Sequence, residues 1–139
     1  MAIQFWNEGK KPNINPDLFS EVAENLAKGI ASEKGGNRNK PTQIRKFYDE
    51  VVRFDNMLKE NTDEFENILP YFKMLNAKAA YAMGRDLISQ KFKDFIADSV
   101  RQVQDRQDFT VFAGLFEAFM GYYKFYDKKG DSFQRGGHR

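Results

Sequence analysis

The chain of 139 residues has no cysteine. That excludes a disulfide framework and every thiolate metal site, and it fits a reducing cytoplasm. The one histidine, His138, sits next to the end of the chain. No Ser-His-Asp or Cys-His arrangement can be built within the body of the sequence. The Glu-x-x-His pairs of di-iron bundles are missing too. No P-loop or dinucleotide glycine pattern occurs. No apolar run approaches the length of a membrane-spanning helix. The first six residues lead into charge and proline rather than the apolar core of a signal peptide. The expectation is a cytoplasmic protein with no catalytic set, no cofactor, no metal and no membrane contact.

What is abundant is aromatic. The chain holds 14 Phe and 6 Tyr, with 41% hydrophobic and 30% charged residues. That composition is ordinary for a soluble globular domain, and the length is enough for one core without staples. The net charge of +2 conceals segregation. Residues 33–46 carry five Lys or Arg against one Glu, and residues 47–72 carry two against seven Asp or Glu. Residues 73–106 return to seven against four. Separated patches point to oriented contacts rather than a uniform nucleic-acid coat.

Periodicity predicts an all-α bundle of about five helices, with no strand pattern of period two. Residues 1–14 read as irregular. Asn15 and Pro16 read as an N-cap and first helical position, opening a helix over about 16–32 with Leu18, Val22, Leu26 and Ile30 at i+4 spacing. Gly35 and Gly36 end it, and a mobile loop runs through Lys40. A second helix spans about 41–60, with Ile44, Phe47, Tyr48, Val51, Asp55 and Leu58 on one stripe. Asn61 or Thr62 caps a third, over about 63–84, which Pro70 should kink or split. A fourth covers about 89–106, with Phe92, Phe95, Ile96, Val100 and Val103 inward. Asp108 is the expected cap of a fifth. Its stripe of Phe109, Phe112, Phe116, Phe119, Met120, Tyr123 and Tyr126 should close at Lys128, Lys129 and Gly130. Gly114 and Gly121 share a face of that helix and would admit a close neighbour. The helical domain is therefore set at 15–128, followed by a disordered tail over 129–139.

Residues 37–51, N-R-N-K-P-T-Q-I-R-K-F-Y-D-E-V, carry the strongest functional signal. Arg38 and Lys40 lead into a helix whose first turns hold Gln43, Arg45 and Lys46. A helix N-terminus is already partly positive and favours carboxylates, so cations there suggest an anion, phosphate above all. At about 100° per residue, Lys46 and Arg53 fall opposite the apolar stripe, and Arg45 lies on its flank. The alternative is a solvated face with Lys46–Glu50 or Arg45–Asp49 pairs, each worth only about 0.2–0.5 kcal/mol. On the third helix, Lys78, Tyr81 and Arg85 share a second face, a composition suited to phosphates with a stacking ring. The competing and favoured reading for Tyr81 is packing against another helix, with the cations flanking it. Asp63, Glu64 and Glu66 could hold Mg²⁺ in principle, but a solvated helix start explains them better. The R-G-G of the tail is one weak copy of an RNA-brushing motif.

Three motifs go beyond composition. T-Q-I-R-K-F-Y-D-E-V at 42–51, L-P-Y-F-K-M-L-N-A-K-A-A-Y-A-M-G-R at 69–85 and F-E-A-F-M-G-Y-Y-K-F-Y at 116–126 resemble the small subunit of type III-A CRISPR–Cas effector complexes, the Csm small-subunit family. The resemblance spans roughly 15–128. It implies a helical, non-catalytic antiviral subunit that stacks with copies of itself as a filament. Beside it would lie backbone and large subunits and the guide RNA–target RNA duplex. Its Lys and Arg residues would hold the target backbone while base pairing selects the sequence. The candidate RNA contacts are Arg38, Lys40, Gln43, Arg45, Lys46, Arg53, Lys78, Tyr81 and Arg85. A helical protein–protein adaptor with no nucleic-acid role is the alternative.

Overall fold

Pro41 sets the start of the helix that matters most. Its missing N–H costs nothing at a first helical position. The carbonyl of Lys40 accepts from Gln43 N at 2.9 Å and Ile44 N at 3.1 Å. Helix α2 then runs over Pro41–Glu60, the expected span. Ile44, Phe47, Val51 and Leu58 are buried as the stripe requires, and Phe54 joins them. Tyr48 packs half-buried against the core, and Asp55 pairs with Lys59 at 3.1 Å.

The computed structural model describes residues 3–60 and 65–136, with side chains through residue 127. Among these, a π-helical turn at Leu18–Val22 leads into α1, Ala23–Ser32, and α2 follows. The others are α3 Phe65–Lys73, α4 Leu75–Gly84, α5 Gln90–Gln102 and α6 Arg106–Gly136. Counting α3 and α4 as one bent helix gives the expected five. None is long and apolar enough to cross a membrane. The proposed caps Asn61 and Thr62, and the acids Asp63 and Glu64, lie outside the described residues, as does His138.

Helix α6 is the spine. Helix α1 packs most extensively along it, then α2, while α4 packs on α5. The core is a continuous ring cluster. Phe72 meets Phe109 at 5.1 Å, Phe95 meets Phe116 at 5.3 Å and Phe47 meets Phe92 at 5.3 Å, mostly edge to face. Such pairs add about 0.5–1.5 kcal/mol beyond their area.

Several boundaries differ from the sequence reading, each for a local reason. The third helix does split, but at Met74 and not at Pro70. Pro70 removes a single helical bond and α3 continues through it. The Met74 N–H is then shared between the carbonyls of Pro70 and Tyr71, both at 3.2 Å. Helix α5 stops at Gln102, short of the expected Arg106. The cap of α6 is Asp105, not Asp108. Asp105 Oδ1 accepts from Asp108 N at 2.8 Å, and Asp108 Oδ2 reaches back to Gln104 N at 2.9 Å. This reciprocal capping needs non-helical backbone before Arg106, which ends α5 early. At the other end, α6 passes Gly130 and reaches Gly136. A Cβ on Gly114 would sit 3.0 Å from the ring of Phe19, so that glycine admits a side chain of the π-helical turn that packs on α6. Gly121 faces open space.

The loop before α2 is pinned rather than mobile. Asn39 is fully buried with φ +60. Its Nδ2 donates to Ile30 O at 3.1 Å and Ser89 Oγ at 2.9 Å, and its Oδ1 accepts from Ser89 N at 2.8 Å. Its own N–H donates to Leu87 O, and Tyr123 OH donates to its carbonyl. The irregular N-terminal segment is likewise bound down. Phe5 is buried against Phe112, Trp6 Nε1 donates to Asp108 Oδ1 at 2.9 Å, and Lys11 bridges Asp105 and Asp108.

Candidate nucleic-acid interface

Two helical rows face each other across a groove of about 660 Å³. Helix α2 supplies Gln43, Lys46 and Glu50, spaced three and four residues apart so that they stack along one face, with Asp49 beside them. Helix α4 and its cap supply Lys78, Tyr81 and Arg85, spaced in the same way. The floor is apolar, from Phe47, Leu75, Ala82 and Leu87. Five of the nine candidate contacts thus come together, from segments more than 30 residues apart.

Tyr81 does not pack against another helix, contrary to the favoured sequence reading. It is 66% exposed. Arg85 Nη1 donates to its hydroxyl at 3.0 Å, and the guanidinium lies 5.7 Å from its ring centre. The α4 face is too rich in Ala to need a large ring for packing. Ala79 and Ala82 close that contact themselves.

Glu50 ties the rows together. Its Oε2 accepts from Arg53 Nη2 at 2.9 Å and lies 3.7 Å from Lys78 Nζ. Partial burial pushes its carboxyl up, but the Arg53 hydrogen bond and the Lys78 and Arg53 charges outweigh that and hold it below the ordinary range. Arg53 therefore continues the α2 row one turn beyond the groove, with its guanidinium over the Phe54 ring at 4.7 Å. Lys46 and Arg85 have no carboxylate partner among the described residues.

The other candidates lie elsewhere. Arg38 closes its own loop. Its Nε donates to Glu33 O at 2.8 Å, and its Nη1 reaches Asp86 Oδ1 at 3.4 Å. Lys40 is exposed at the cap position of α2. Arg45 faces the opposite flank of α2, 3.7 Å from Asp49, in a cleft of about 510 Å³ shared with Tyr48, Tyr123 and Lys124.

A family model, Csm2 Type III-A, matches residues 15–129. The chain belongs to the Csm2 Type III-A family. It is therefore a small subunit of the type III-A CRISPR–Cas complex, acting with the other Csm subunits. No curated protein and no solved structure gives a significant match. All three motifs of the resemblance fall inside the matched region. In this Csm2-family chain they become α2, the α3–α4 pair and the central part of α6.

Sequence reasoning missed Glu50 as a member of the site, Asn39 as its support and Lys124 beside Arg45. Glu50 was visible only as an i+4 partner for Lys46. Its partners are Arg53, three residues on, and Lys78 on another helix, and no spacing rule reveals the second pair. Asn39 gave one usable signal. It is an Asn in a turn-rich stretch, a residue that tolerates the left-handed conformation.

Proposed function

We propose that this Csm2-family subunit holds target RNA rather than cutting it, with the α2–α4 groove receiving the strand. Lys46, Lys78 and Arg85 neutralise phosphates, Gln43 adds a neutral donor, and Tyr81 offers a stacking face. Copies of the chain stack as a filament along the guide–target duplex beside the backbone and large subunits, in the cytoplasm. Base pairing chooses the sequence, so contacts to backbone suffice for this subunit. The observation that supports the reading most is the exposed Tyr81 between cations contributed by two helices.

The test is single-stranded RNA binding by the full chain across a salt series. A combined Lys46→Ala and Arg85→Ala variant should lower the salt slope by about 1.4, at about 0.7 per lost phosphate contact. Arg45→Ala, on the other flank, should leave the slope unchanged. An unchanged slope in the double variant removes the groove assignment. If the wild-type chain retains no RNA yet still enters the complex, the adaptor reading replaces this one.

A further inference from the structure

The groove is lined by two carboxylates, which phosphate binding does not account for: Asp49, which lies 3.7 Å from Arg45 on the far flank of α2, and Glu50. Glu50 is the one that faces the cations of the opposite row, as an ionised carboxylate and an acceptor only. A carboxylate facing a phosphate is repulsive. Joining α2 to α4 is one reason for Glu50 to be there, but both of its ion pairs use Oε2. Its side chain keeps 29% of its exposure. The second oxygen, Oε1, makes no hydrogen bond or ion pair among the described residues and lies beside the cations that would hold a strand.

Position along α2 narrows what Oε1 can accept from. Glu50 stands one helical turn from Lys46, about 5–6 Å between Cβ atoms. With a phosphate on Lys46, the neighbouring donor at that reach is on the attached sugar. In RNA that sugar donor is the 2′-hydroxyl, the group by which a protein tells RNA from DNA. A carboxylate accepting from a ribose hydroxyl is an established pairing in nucleotide sites.

We infer that Glu50 accepts a hydrogen bond from a ribose 2′-hydroxyl, making it the residue by which this groove prefers RNA to DNA. The inference rests on the groove reading above and adds sugar discrimination to it. Lys78 and Arg53 hold the carboxylate in place, and the remaining oxygen reads the sugar. In DNA the same carboxylate would meet no donor and would only repel the backbone.

The experiment compares the full chain on single-stranded RNA, the matching DNA and 2′-O-methyl RNA at low salt, where phosphate contacts are strongest. The wild-type chain should bind RNA about ten-fold or more tightly than DNA, the effect of one hydrogen bond to a charged group. The 2′-O-methyl strand should bind like DNA. Glu50→Ala should tighten DNA binding, because a repulsive charge is gone. It should not tighten RNA binding equally, so the RNA-to-DNA ratio collapses toward one. Glu50→Gln, which keeps a carbonyl acceptor, should retain part of the ratio. Circular dichroism on each variant establishes that it is folded. Equal wild-type binding to RNA and DNA overturns the inference but leaves the phosphate groove standing. So does a Glu50→Ala variant that tightens both strands by the same factor. A preference found with one base and lost with others also overturns it, in favour of base reading. Binding to neither strand overturns the groove reading and this inference together.

Discussion

Replacing Asn39 with Ala tests whether the α2–α4 arrangement depends on one buried side chain. Three hydrogen bonds leave with the amide, to Ile30 O, Ser89 Oγ and Ser89 N. Each is worth about 1 kcal/mol net, and more where a buried partner is left unpaired. Alanine also takes on the backbone at φ +60, which costs an L-residue with no local hydrogen bond about 1–2 kcal/mol. The sum is about 4–5 kcal/mol, a large part of the roughly 5–15 kcal/mol that holds a domain together. With a urea dependence of about 2 kcal/mol per molar, the unfolding midpoint should fall by about 2 M. Asn39→Gly separates the two parts. It loses the same bonds but accepts the left-handed backbone, so it should recover about 1 kcal/mol. Urea unfolding followed by circular dichroism reads all three proteins. An Asn39→Ala variant within about 1 kcal/mol of wild type would refute the reasoning. So would a Gly variant less stable than the Ala variant.

Tyr81→Ala should leave stability within about 0.5 kcal/mol, because the ring is exposed, yet weaken RNA binding by about 1–3 kcal/mol. Tyr81→Phe should keep most of that affinity. A loss of stability with no loss of binding would mark the ring as structural. The N-terminal strap predicts a pH window. Partial burial works to raise the Asp105 carboxyl, but hydrogen bonds from Lys11 and the Asp108 N–H hold it below the ordinary range. Its stabilisation is therefore present above the ordinary carboxylate value and lost as pH falls through the lowered one. Hydrogen bonding to Asp105 raises Lys11, against a smaller effect of burial, so that contribution persists through neutral pH and fades only above 10.5. Trp6 is the single tryptophan of the chain and bonds to Asp108, so its fluorescence reports the strap directly. Asp105→Asn should flatten the acid-side change while still capping α6, and an unaltered acid transition would count against the latch.

What could be read from the sequence followed from local rules. The period of Ile44, Phe47, Val51 and Leu58 is enough to set α2, and the start of the fourth helix at about Ser89 stands within one residue, with Ser89 as its cap. The split of the third helix was legible from Pro70, but its place was not, since Met74 depends on how two carbonyls share one N–H. Non-local contacts were beyond reach. Trp6 and Asp108 lie 102 positions apart, and Asn39 and Ser89 lie 50 apart. An Asn in a Gly-rich loop reads as solvated until the loop is seen to fold over Ser89. Tyr81 failed for a related reason. A large ring on an apolar helix reads as core, and only the neighbouring alanines reveal that no partner needs it.

The division of labour around α2 follows from geometry as simple as the helical repeat. Arg45 and Lys46 are adjacent in sequence, yet about 100° of rotation separates them. Lys46 enters the groove with Lys78 and Arg85, while Arg45 enters the other cleft with Lys124. A run of basic residues is thus two half-sites, and what makes one of them a groove is the second helix set opposite it. That helix is held at two points: Glu50 pairs with Lys78 across the rows, and Asn39 binds Leu87 just beyond Arg85. Neither is a cation. The groove's charge therefore comes from the lysines and arginines the sequence displays, and its shape comes from an acid and an amide that composition alone would pass over.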